Sequence, residues 1–200
     1  MNFKYLGKNV KIYDAKVHFP ENISLGDEVT IDDYCFLFGS GGGIEIGNFS
    51  HILCRTTLWG GKLTIGNFTS ISCGCTVVAS SDDYEGEGLI GLRVLDKYRN
   101  LEFKDVNIGK HCVVGAGCII LPGVTIGEGC SVGAGSLVNH DLPEWTICYG
   151  SPCKPQREKP RDKILRMEKR FLEEYNACST DTTTTEKCHS IWMHEGLYGD

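Results

Sequence analysis

The chain has 200 residues and a formal net charge of -6 at neutral pH, a length that suits one domain or one domain with a short appendage. The acidic balance gives no electrostatic footing for nucleic acid or for an anionic membrane surface. No apolar run approaches the roughly 20 residues of a membrane span, and no basic-then-apolar leader opens the chain, so a cytoplasmic location is expected.

Aliphatic residues recur at six-residue intervals along most of the sequence. Leu6 and Ile12, with a weaker slot near His18, begin the series. Leu25, Ile31 and Leu37 follow, then Ile46, Ile52 and Leu58, then Ile65, Ile71 and Val77. The longest unbroken run is Ile108, Val114, Ile120, Ile126, Val132 and Val138. Neither a helix nor an alternating strand produces strict sixes. Three hexads close a triangular coil, so the pattern predicts an all-β solenoid of about six coils built from short parallel strands.

The fourth residue after each aliphatic position is small, and both side chains are expected to point inward. Cys35, Cys75, Cys112, Cys118 and Cys130 occupy this slot. They account for five of the eleven cysteines as compact buried hydrophobes. No CxxC framework of the zinc type is present.

Insertions interrupt the lattice in chain order. GSGGG at 39–43 pads one corner, and Gly60-Gly61-Lys62 adds a kink at another. A long excursion, residues 79–104, leaves after the fourth coil and carries many charged and aromatic residues. Connections of that length in a compact fold are commonly functional. After Val138 the lattice is expected to stop at DLPEW, giving a solenoid over 1–157. Pro160 then opens a segment with Ile164, Leu165, Met167, Phe171, Leu172 and Tyr175 on one helical stripe. It reads as a helix over 158–177 capping the open end. Residues 178–200 read as a polar, flexible tail.

His51 is the leading candidate for a general base. It lies between Ser50 and Ile52, which face inward, so its ring faces outward. Asp82, Asp83 or Tyr84 of the long loop is expected to reach it, with Asp83 as the catalytic carboxylate that fixes the ring tautomer. The alternative is a histidine hydrogen-bonded across a subunit interface. His111 sits on a turn and reads as solvent-facing. His140 follows the last coil, and His189 and His194 lie in the tail.

The hexads resemble those of the hexapeptide-repeat acyltransferases over roughly residues 5–157. That resemblance implies a left-handed parallel β-helix, a homotrimer and an acyl-CoA donor. Within the family, IGNFSHI (Ile46 to Ile52), the DDYxG loop (Asp82 to Gly86) and KYRN (Lys97 to Asn100) resemble N-acetyltransferases of nucleotide-linked 4-amino-6-deoxy sugars. Other sugar acetyltransferases of this fold place a catalytic histidine at the start of the long loop. Here that stretch reads Ser80-Ser81-Asp82-Asp83-Tyr84, so either another histidine or a carboxylate must serve.

The resemblance implies acetyl-CoA along two stacked GAG turns, with contacts at Ala116, Ala134, Asn139 and His140, and Lys154 facing the phosphates. It implies an aminosugar nucleotide held by Asp82, Tyr84, Tyr98 and Arg99; charge and residue spacing give no reason to expect a metal, nucleic acid or membrane partner. O-acetylation of a saccharide hydroxyl is the close rival. A zinc-dependent member of the fold and a non-catalytic trimer are the distant ones.

Overall fold

A computed structural model of the chain describes residues 1–180. Residues up to Lys159 form one compact unit, and helix Asp162–Thr180 belongs to a second. The proposed tail lies, apart from the helix end, outside the described residues, as do His189 and His194.

The first unit is a three-sided parallel β-helix. Each of the three long sheets takes one strand from every coil, and six coils are complete. Register follows the hexads: Leu25 pairs with Ile46, Ile46 with Ile65, Ile65 with Ile108 and Ile108 with Ile126 on the first sheet. Ile31, Ile52, Ile71, Val114 and Val132 do the same on the second, and Leu37, Leu58, Val77, Ile120 and Val138 on the third. These side chains fill the bore and are essentially inaccessible to water. At the start of the series the third-sheet slot belongs to Val17 rather than His18. Val17 pairs with Leu37, while His18 faces out against Phe36 and Phe38.

The lattice also runs one partial coil beyond Val138. Leu142 bridges to Ile126, and Cys148 pairs with Val132; both are buried. The chain then reverses into a hairpin, Thr146–Gly150 against Cys153–Glu158, which covers this end of the second sheet with an antiparallel strand.

The small inward slot has a polar purpose as well as a steric one. Cys35 Sγ donates to Leu53 O at 3.1 Å, Cys75 Sγ to Gly115 O at 3.2 Å and Cys118 Sγ to Gly133 O at 3.1 Å. Ser50, Thr56 and Thr69 make the same bond with hydroxyls, to Gly66, Ser72 and Gly109, at 2.8 to 2.9 Å. Each donor satisfies a corner carbonyl of the next coil that no strand hydrogen bond reaches. A short side chain with one donor is therefore what the slot selects.

One corner carries an aromatic ladder. Phe49, Phe68, His111 and Trp145 all adopt left-handed backbone at φ 48 to 58. Phe68 stacks on Phe49 at 4.9 Å and on His111 at 5.3 Å, and Trp145 lies 6.1 Å from His111. Left-handed backbone costs a non-glycine residue roughly 1–2 kcal/mol, which ring stacking offsets. Trp145 covers Gly129, where an added Cβ would lie 2.4 Å from the indole. His111 is thus on a turn as expected, but buried under rings rather than facing solvent.

In the second unit, Ile164, Leu165, Glu168, Phe171, Leu172 and Tyr175 are the less exposed residues of the helix, whereas Met167 is 53 % exposed and lies off that stripe.

Candidate active site

His51 begins the second-sheet strand of the third coil, His51–Ile52. Ile52 is buried, so the preceding ring projects outward, as strand alternation requires. Its Nε2 lies 2.9 Å from Oδ1 of Asp32, which sits just past Ile31 in the coil before. Asp32 is nearly buried, and the imidazole is about one-third exposed. A carboxylate only accepts, so in the neutral imidazole the proton sits on Nε2 and the lone pair on Nδ1.

Within the chain the carboxylate that meets His51 is Asp32, while Asp83 is engaged inside the long loop. Asp83 accepts from Gly88 N at 2.9 Å, Glu85 N at 3.2 Å and Asn100 Nδ2 at 3.3 Å, all inside the long loop. The Gly88 N–H above all, with the other donors, holds its carboxyl below the usual carboxylate range. Asp83 positions the loop. No motif announced Asp32; the signal that could have found it is the coil register, in which Thr30 pairs with His51 and Asp32 follows two residues along the facing coil.

The loop itself is tied at both ends. Ser80–Ser81 pairs antiparallel with Glu102–Phe103, and Lys104 N bonds to Ala79 O. Its two conspicuous motifs close on each other. Asp82 lies 3.7 Å from the Arg99 guanidinium, Asp83 reaches Asn100, and Leu89 N bonds to Tyr98 O at 2.7 Å. The Arg99 side chain is 10 % exposed, and its Nε has no hydrogen-bond partner. Tyr84 is 90 % exposed, and Tyr98 is half exposed with Lys97 4.7 Å over its ring.

The corner between the second and third sheets forms a continuous column. From the second coil to the sixth it reads Asp33-Tyr34, Cys54-Arg55, Cys73-Gly74, Ala116-Gly117 and Ala134-Gly135, each linked by backbone hydrogen bonds to the next. Gly74, Gly117 and Gly135 are left-handed at φ 68 to 69, and nothing lies within 4 Å of where their Cβ atoms would be. The last three coils thus present a bare outer corner with Ala116 and Ala134 exposed on it. Asn139 and His140 lie on the surface after the sixth coil, with His140 Nδ1 2.9 Å from Asn139 Oδ1. Lys154 is exposed on the terminal hairpin. At the other end of the column stand Cys54 and the Asp32–His51 pair. Among the described residues no cluster of three or more His, Cys, Asp or Glu is arranged to hold a metal, and no helix is long and apolar enough to cross a membrane.

Residues 105–140 match the model of the bacterial transferase hexapeptide family, six repeats. A dTDP-4-amino-4,6-dideoxy-D-glucose acyltransferase from Escherichia coli is 38 % identical over 173 residues, covering 86 % of this chain and 90 % of that one. The N-acyltransferase AntD from Bacillus cereus, in complex with dTDP and 3-hydroxybutyryl-CoA, superposes with a TM-score of 0.80 at 39 % identity, covering 87 % of this chain and 92 % of that one. A maltose O-acetyltransferase from Clostridium difficile shares the fold, with a TM-score of 0.53 at 21 % identity over 79 % of this chain and 71 % of that one.

Proposed function

This chain belongs to the hexapeptide-repeat acyltransferases, and from that footing we propose that it acylates the amino group of a dTDP-linked 4-amino-4,6-dideoxy sugar from acetyl-CoA. The observation that carries the reading is the Asp32–His51 pair beside a corner column of small residues, in a chain 38 % identical to an acyltransferase of such a sugar.

The chemistry follows from the groups present. The sugar amine attacks the thioester carbonyl, and the carbonyl pair moves to oxygen. Collapse of the tetrahedral intermediate expels CoA as its thiolate. The proton lost by the amine passes to His51 Nδ1, and the imidazolium returns it to the thiolate. Asp32 holds the ring and balances its transient charge. CoA lies along Ala116 and Ala134, where small side chains let the pantetheine arm approach the backbone. Asn139 and His140 flank it, and Lys154 serves its phosphates. Arg99 has a guanidinium edge to spare for the nucleotide diphosphate, and Tyr84 and Tyr98 offer faces for the base. Asp82 and Asp83 set the loop that presents them.

The outward ring of His51 and a loop rooted on the third sheet are brought together by assembly as a homotrimer, with each site between neighbouring subunits. Sedimentation equilibrium tests this, with three times the chain mass of 22.0 kDa as the expected result.

The direct test is incubation with acetyl-CoA and dTDP-4-amino-4,6-dideoxyglucose, following free thiol and the mass of the sugar nucleotide. Stoichiometric thiol release with acetyl gain on the amine is expected. 3-Hydroxybutyryl-CoA serves as the competing donor. Thiol release with saccharide alcohols but not with aminosugars would replace this reading by O-acylation.

A further inference from the structure

The corner column holds a feature that acyl transfer does not use. Cys54 and Cys73 occupy the same position in adjacent coils, and their Sγ atoms are 3.1 Å apart. The Gly74 N to Cys54 O bond of 2.9 Å locks the two corners together. Coils stacked in this way place equivalent Cα atoms about 4.8 Å apart, inside the range a disulfide spans. The other described cysteines differ in kind: Cys35, Cys75, Cys112, Cys118, Cys130, Cys148 and Cys153 are all buried in the bore or under the hairpin. Cys54 and Cys73 are partly exposed on the outer corner.

Along the column Cys73 adjoins the bare Ala116 corner, and Cys54 shares the third coil with His51. The contact with the neighbouring sulfur pushes the Cys54 thiol pKa up, and either sulfur can open a thiol–disulfide exchange as its thiolate.

We propose that Cys54 and Cys73 are a thiol–disulfide modification site on the outer corner of the β-helix, taking small-molecule disulfides as oxidant. One of the two cysteines, as its thiolate, attacks one sulfur of a glutathione disulfide and expels one glutathione thiolate, leaving a mixed disulfide. The other gives up its proton and attacks the mixed disulfide at the protein sulfur, expelling the second. Two protein thiols are oxidised, one small disulfide is reduced to two thiols, and no further oxidant is needed. The product replaces both S–H groups by one S–S bond and draws the sulfurs about 1 Å closer.

The test uses the full chain. Native protein is treated with oxidised glutathione, alkylated, digested and mapped by mass spectrometry. A Cys54–Cys73 cross-linked peptide two hydrogens lighter is expected, with the bore thiols neither oxidised nor alkylated, and the cross-link should be lost on treatment with dithiothreitol. A double Cys54→Ser, Cys73→Ser variant should show no oxidation at this corner under the same treatment. Two unlinked thiols after oxidation, or separate stable glutathione adducts, overturn the proposal.

Discussion

Asp32 and His51 stand 19 residues apart in sequence and 2.9 Å apart in space, Oδ1 to Nε2, across two neighbouring coils. General-base assistance is worth roughly 10² to 10⁴ in rate. His51→Ala should lower kcat by about that factor while CoA affinity, measured by calorimetry, stays unchanged. Asp32→Asn keeps the shape but lets the ring adopt the other tautomer. It should lower kcat less than His51→Ala and leave KM for both substrates near its original value. Equal activity in His51→Ala, with a confirmed acceptor, would remove the base assignment.

The long loop should open with acid. Asp83 has a lowered pKa in the folded chain because its carboxylate accepts from Gly88, Glu85 and Asn100. A group depressed on folding stabilises above its unfolded value, about 3.9 for Asp, and that contribution is lost as pH falls through the depressed value. At neutral pH the loop is therefore held closed with Asp83 ionised. Asp83→Asn should loosen the loop backbone and speed tryptic cleavage after the already exposed Arg93 and Lys97 at pH 7, relative to the parent protein. Unchanged cleavage would show that the Asp82–Arg99 contact and the Ser80–Ser81 pairing suffice alone.

The sequence made the solenoid legible because each inward slot repeats one chemical demand, an aliphatic residue at Ile108 and again at Val114, Ile120 and Ile126. It hid what breaks that phase. The step from Val138 to Leu142 is shorter than a hexad, and Cys148 fills an aliphatic slot with a residue that elsewhere marks the small one. The seventh, partial coil therefore escaped the pattern. His51 was legible because strand alternation alone fixes its outward face. Its partner was not, because an acidic residue at a corner looks like any solvated turn until the coils are stacked and Thr30 falls beside His51. The loop motifs were found, but that Asp83 serves Asn100 rather than His51 is a matter of tertiary closure. His111 showed the same limit: its turn was evident, and the rings of Phe68 and Trp145 above and below it were not.

The hydroxyl in the small slot gives a stability prediction independent of function. Thr69 Oγ1 donates to Gly109 O at 2.8 Å and accepts from Cys112 N at 3.2 Å, deep in the bore. Thr69→Val preserves the shape and leaves both backbone groups without that partner. Leaving a buried polar group unsatisfied costs about 1–3 kcal/mol, so chemical denaturation should show a loss in that range with an unchanged slope. A loss near zero would mean that the slot selects for size alone.

Arg99 separates nucleotide binding from loop architecture. Its guanidinium is nine-tenths buried, its contacts to Asp82 and Asp96 are long at 3.7 and 3.6 Å, and its Nε has no partner. A cation held this loosely in a buried setting retains most of its capacity for a bidentate anion. Arg99→Lys keeps the charge and loses the fork. It should raise KM for the dTDP-aminosugar by about tenfold, the worth of one charge-assisted hydrogen bond, with KM for acetyl-CoA and the melting temperature little changed. Arg99→Met removes the charge as well and should raise the same KM further. If the melting temperature falls and both KM values rise together, the guanidinium holds the loop rather than the substrate.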